Sequence, residues 1–222
     1  MYLFFVLLFS TPCYAVNGKL SYVMGDVLVL SPRAALGTLE QSEKAKLTQL
    51  VHGGSTLKTL DHSAAVVTLE DGSQVKLNEN TEITLGAEPK VAEINLKTGG
   101  IFSKIQKQGP RLRFLVRTRS ATFGVRGTEF FTSWGKQKNS DPDLWMCVNE
   151  GLVEIESVGT AQKTLVKEGL GVFLTGGKEV TTPKPYAWTK SLNWNMDPEK
   201  GSVENKTSMD SAYKNLVEQD YD

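Results

Sequence analysis

Ala64-Ala65-Val66-Val67-Thr68-Leu69-Glu70-Asp71-Gly72-Ser73-Gln74-Val75-Lys76-Leu77 is the stretch that decides the fold. Its first six residues are rich in β-branched side chains, which suit a pleated, half-buried surface. Asp71-Gly72 then interrupts, and Gln74 to Leu77 resumes the alternation. An Asp-Gly pair between two such runs predicts a β-hairpin, because the tight turn needs positive φ.

The same alternation recurs outward in both directions. It predicts strands at Leu20–Leu30, Glu82–Leu85, Val91–Leu96, Ile101–Ile105, Leu112–Thr118, Thr128–Ser133, Leu144–Val148, Leu152–Val158, Thr164–Val166 and Val172–Thr175. Glycine pairs at Gly53-Gly54, Gly99-Gly100 and Gly176-Gly177 punctuate them. Short strands at this spacing predict one all-β domain over residues 19–177, a single twisted β-sandwich or an irregular β-roll. The phrase "apolar, polar, polar, Gly" recurs, as at Leu96 to Gly99 and Val148 to Gly151, but its period is irregular, so a regular solenoid does not follow. Leu39 to Leu50 is the one polar interruption and reads as a short helix or an inserted loop.

The chain carries 25 Lys+Arg against 25 Asp+Glu, a balance that speaks against a dedicated nucleic-acid binder. Two cysteines, Cys13 and Cys147, exclude a disulfide-rich scaffold, and with two histidines they exclude a Cys/His zinc set. Met1 to Phe9 is almost wholly apolar, and Cys13 and Ala15 place small residues at −3 and −1 of a cleavage site. Residues 1–15 therefore read as a signal peptide that sends the chain to the periplasm or beyond; lipidation at Cys13 is the alternative. The run is too short to span a membrane, which needs about 20 apolar residues. Residues 178–206 read as a linker or wrapping segment, and 207–222 as a short amphipathic C-terminal helix with an acidic tail. In that helix Met209, Tyr213, Leu216 and Val217 fall on one stripe, which docks on the parent domain or in a partner's groove.

Thr122-Phe123-Gly124-Val125-Arg126-Gly127-Thr128-Glu129-Phe130 resembles the signature segment of the FecR domain family. The resemblance extends to Gly25-Asp26-Val27, to Gly54 through Leu85, to Leu96 through Lys104 and to Asn149 through Val153, in family order. It implies an envelope-signalling or assembly context. Family members that regulate sigma factors join a cytoplasmic anti-sigma segment, one membrane helix and a terminal secretin/TonB-type module to this domain. The chain departs from that pattern, which implies a stand-alone exported domain with no direct line to a cytoplasmic sigma factor. Ala187 to Leu192 is similar to the exit linker of those regulators.

Several side chains are candidates for function. Gly124, Val125, Arg126, Gly127 and Thr128 read first as a tight corner, where glycines turn the backbone and Arg126 donates to nearby carbonyls, and second as a partner loop. Arg111, Arg113, Arg117 and Arg119 alternate along a predicted strand, so their guanidinium groups share a face that suits an anionic partner. Pairing across the sheet with Glu154 and Glu156 is the competing reading. Tyr186, Trp188 and Trp194 read as rings that cover an open sheet face, with a sugar-stacking platform as the alternative. His52 and His62 are the only imidazoles, and no nucleophile elbow, phosphate loop or HExxH helix is present. The sequence thus predicts a non-enzymatic binding or scaffold module of the bacterial envelope without a cofactor, whose partner is an envelope protein or an anionic polymer. The alternatives are a periplasmic signal-transduction component acting through a separate membrane partner and, last, a polysaccharide-acting enzyme.

Overall fold

The computed structural model describes residues 18–32, 42–88, 91–107, 113–137, 142–174 and 179–207. The signal-peptide reading and the helix carrying Met209, Tyr213, Leu216 and Val217 lie outside these residues, as does Arg111.

The hairpin forms as its sequence demands. β6 (Ala64–Leu69) and β7 (Gln74–Leu77) pair antiparallel around Gly72, with Val67 opposite Val75. Asp71 caps the turn by accepting from the Ser73 amide at 2.8 Å. Before it come β1 (Gly18–Met24), β2 (Val27–Leu30), β3 (Ser42–Lys44), β4 (Leu50–Val51) and β5 (Thr56–Thr59). After it follow β8 (Glu82–Leu85), β9 (Val91–Lys104), β10 (Arg113–Arg117), β11 (Ala121–Val125), β12 (Glu129–Gln137), β13 (Pro142–Glu150), β14 (Leu152–Ser157), β15 (Lys163–Lys167) and β16 (Gly171–Leu174).

These strands make two layers that share β9. The C-terminal half of β9 joins β4-β1-β6-β7 to β12-β13-β16, the first layer. Its N-terminal half joins β3-β2-β5-β8 to β10-β11-β14-β15, the second layer. Only β9 and β10 pair parallel among the described strands. One core fills the space between: Leu20, Val67, Val75, Phe130 and Met146 from the first layer meet Leu57, Ile94, Val116, Phe123 and Ile155 from the second. The all-β sandwich expected from the alternation is what forms.

Three expectations of detail are corrected. Val91–Leu96 and Ile101–Ile105 are not two strands about a turn; Gly99-Gly100 lies inside a single strand that bends from one layer into the other. Gly99 has φ +89°, and a Cβ there would stand 2.5 Å from the Thr81 Cα, so the bend needs glycine. Leu20–Leu30 is two strands broken at Gly25. The described part of Leu39–Leu50 holds no helix: Ser42–Lys44 pairs with β2, and the Leu20 carbonyl accepts the Thr48 amide.

Candidate functional site

The outer faces of the two layers differ in kind. On the second layer, β11 sends Ala121, Phe123 and Val125 into the core and turns Thr122 and Gly124 outward. Its neighbours place Leu115 and Arg117 of β10 on one side and Leu152, Glu154 and Glu156 of β14 on the other. Arg117 donates from Nε to Glu93 at 2.7 Å and from Nη1 to the Thr122 hydroxyl at 3.4 Å. Lys163 of β15 holds Glu154 at 3.7 Å and Glu156 at 3.3 Å. Arg117 therefore pairs with Glu93 rather than with the two acids expected from sequence. Arg119 leaves the strand in the bend after β10, so the alternation that lines up the arginines stops at Arg117.

At the end of β11 the chain crosses to the first layer through Arg126-Gly127-Thr128. Gly127 has φ +61°, and a Cβ would stand 2.1 Å from the Lys107 side chain. The Thr128 carbonyl accepts the Ile105 amide at 2.8 Å and ties the corner to β9. Gly127 thus turns the backbone, whereas Gly124 does not: it sits extended inside β11. Arg126 is exposed and makes no ion pair among the described residues.

The first layer's outer face is closed. Val66, Phe102, Phe131, Trp145, Cys147 and Phe173 alternate with core residues and pack outward against Tyr186, Leu192, Met196 and Val203. This strap, residues 179–207, has two short 3-10 turns at Ala187–Ser191 and Pro198–Lys200. Asn193 and Asn195 fold it on itself: the Asn193 amide side chain donates to the Ser202 and Glu204 carbonyls, both at 2.8 Å. Lys76, 1% exposed, points outward from β7 and donates to the Asn193, Asn195 and Val203 carbonyls at 2.5, 2.9 and 3.1 Å. Its ammonium also sits 4.1 Å from the centre of the Phe102 ring. Burial pulls the Lys76 pKa down from 10.5 to about 8, against the opposing field of Glu129. The same burial pushes the Cys147 thiol far up, which makes it a poor nucleophile.

The family model described as FecR protein matches residues 55–154. That stretch is similar to the FecR family. Two crystal structures of a protein provisionally named an anti-sigma factor from Parabacteroides distasonis, at 1.65 and 2.50 Å, share the fold. Each superposes with a TM-score of 0.52 at 19% identity over 61% of this chain. The match spans 63% and 62% of those chains, less than two thirds of their length. No curated protein matches the sequence.

Within the matched residues fall the hairpin, β9 with its bend, the β10–β11 pair and the Arg126–Thr128 corner. The strap lies beyond the matched residues, although Lys76, which is one of them, holds it. Tyr186 and Trp194 cover the first layer, Trp194 edge-on to Phe102 at 5.2 Å between ring centres. A cleft of about 660 Å³ opens where the strap's end, Glu204 to Thr207, meets Asn78–Asn80, Gly99-Gly100 and Ser133. His62 on its rim is exposed, 3.8 Å from Glu79, and His52 is also exposed. Among the described residues no three His, Cys, Asp or Glu side chains gather as a metal set, and no helix is long and apolar enough to cross a membrane.

Sequence reasoning missed Lys76. It reads there as one polar position in an alternating strand, and nothing local marks it as buried. Its partners lie more than 115 residues away in the strap.

Proposed function

We propose that this protein is an exported, non-enzymatic binding module of the bacterial cell envelope, working in signal transduction through a partner protein. The observation that carries the reading is a FecR-like domain with one outer face sealed by its own chain and the other left open and charged. A surface kept sealed cannot receive a partner, so contact falls to the second layer. The apolar leader of residues 1–15 supports export. The anti-sigma description of the structurally similar protein supports a signalling role, and the lack of a transmembrane helix in the described residues fits action through a separate membrane partner. Both imidazoles are exposed, and the sequence holds no nucleophile elbow, phosphate loop or HExxH helix, which supports binding over catalysis.

Affinity capture from envelope extracts with the mature chain tests this. The expected result is one envelope protein retained in stoichiometric amount. Retention by glycan alone, or turnover of an envelope glycan that a single Glu or Asp substitution abolishes, would contradict it.

A further inference from the structure

The closed face of the first layer has one gap, at the end where the strap leaves it. Lys76, Phe102 and Phe131 stand side by side on β7, β9 and β12. The next outward row on the same three strands is Asn78, Gly100 and Ser133, two residues further along each. The Asn78 amide donates to the Gly100 carbonyl at 3.0 Å, and Gly100 is the cross-strand partner of Ser133. The strap packs its apolar anchors on the first of these rows, and the cleft of about 660 Å³ opens over the second.

Gly100 makes the floor of the gap. It lies outside the left-handed region, yet a Cβ there would stand 3.1 Å from the Phe131 ring and 3.5 Å from the Asn78 side-chain nitrogen. The missing side chain leaves space between a carboxamide and a hydroxyl whose strands are two spacings apart, roughly 10 Å. Neither polar group has a partner inside the protein. Ser133 is 8% exposed, and its hydroxyl makes no hydrogen bond among the described residues; the half-buried Asn78 carboxamide makes none either. Nearby groups are satisfied in the usual way: Asn80 donates to Asp61 at 2.8 Å, and the Thr81 hydroxyl to the Gly100 carbonyl at 3.2 Å. Asn78 and Ser133 both line the cleft, so what satisfies them comes from outside the chain.

These groups define what fits. Both are neutral, and each offers a donor and an acceptor. Phe131 and Trp134 supply apolar surface beside them. The rim sets Glu79 and Glu204 against Lys206 and His62, a balance that draws neither anion nor cation. An extended peptide finds no free backbone here, because β7, β9 and β12 are each paired on both sides. The volume falls within the roughly 300–1,000 Å³ of small-molecule sites. A compact ligand with hydroxyl or amide groups around an apolar ring meets all of these terms, and a sugar is such a ligand.

We infer that this cleft binds a neutral saccharide unit of an envelope glycan, with Asn78 and Ser133 bonding to its hydroxyl or amide groups over Gly100. It is a second site, on the opposite layer from the protein contact proposed above, and the two readings stand or fall separately.

NMR titration of the isotope-labelled mature chain tests this, with cellobiose, chitobiose and maltose as neutral probes and digalacturonate as the anionic comparison. At least one neutral disaccharide should shift the Gly100 and Ser133 amide signals and the Asn78 side-chain signal, and leave Thr122 and Leu165 in place. Asn78→Ala and Ser133→Ala should each weaken that binding about fivefold, the effect of one lost hydrogen bond. Their melting temperatures should equal or exceed that of the wild type, because neither side chain has an internal partner to lose. No shift with any neutral sugar, an equal response to digalacturonate, or undiminished binding by both variants would overturn the inference. So would a variant that melts well below the wild type or fails to fold, since that side chain would then serve the fold. In envelope capture, Asn78→Ala/Ser133→Ala should retain the protein partner at the wild-type level; its loss would put that partner in the cleft and overturn the saccharide assignment. Sugar binding without any captured protein would leave the cleft standing and sink the protein-contact reading alone.

Discussion

The two outer faces of the sandwich start from the same alternating strands and end differently. In β13, Leu144, Met146 and Val148 face the core, and Trp145 and Cys147 face outward, so the run is apolar without a break. Such a strand must be covered twice, and the strap covers it. In β14, Val153 and Ile155 face the core while Leu152, Glu154 and Glu156 face water. The comparison teaches that this domain spends its chain length on closing one face and leaves the other to contacts outside itself.

The largest effect should come from breaking the closed face. Trp145→Ala removes a ring that is 1% exposed and packed on Phe131 at 5.4 Å between centres, and should cost about 3–5 kcal/mol in urea unfolding. Leu165→Ala on the open face should stay within about 0.5 kcal/mol in the same assay. Comparable losses at the two positions would end the distinction.

Lys76→Met should follow, since it leaves the Asn193, Asn195 and Val203 carbonyls without their donor in a buried setting. A loss of about 2–3 kcal/mol is expected, with amide hydrogen exchange accelerating in the strap more than in β14 and β15. Uniform acceleration would mean that Lys76 does not act as the strap's clasp.

The pH dependence sharpens the same point. Lys76 holds its proton more weakly in the folded chain, at about 8, than at the ordinary 10.5. Between those values the unfolded chain binds more protons, so the folded state gains as pH rises. Wild-type stability measured relative to Lys76→Met should be flat below pH 8 and climb toward pH 10.5, by at most about 1.4 kcal/mol per pH unit. A fall over that range would show that the carbonyl bonds outweigh the lost hydration of the ammonium.

The smallest effect should be Arg117→Gln. Its pair with Glu93 is solvent-exposed, and such pairs contribute about 0–1 kcal/mol, so unfolding should barely change. A large loss would make the open face a structural element and weaken its reading as a contact surface.

How much of this is legible in the sequence follows the physics of each part. The hairpin from Ala64 to Leu77 and the β14 strand are legible because one-sided burial writes a period of two into the residues. The bend in β9 is not, because a Gly-Gly pair looks alike at a turn and inside a bent strand; the nearness of Thr81 decides it. The strap is barely legible, since side chain–backbone bonds from Asn193 and Asn195 hold it and leave no period. The basic character around Arg117 is legible, but its partner is not: Glu93 reaches it through the parallel pairing of β9 with β10, which no local pattern announces. Gly124 and Gly127 are indistinguishable in the sequence, and only the backbone separates the one that turns from the one that leaves space.

Photo-crosslinking in cells tests the division of labour between the two faces most directly. A photoreactive amino acid is placed singly at Thr122 and Leu165 on the open face, and at Trp194 and Leu192 in the strap. The account predicts crosslinks to one envelope protein from Thr122 and Leu165, and none from Trp194 or Leu192. Crosslinks from the strap positions, or silence from Thr122 and Leu165 in cells where the strap positions react, would contradict it.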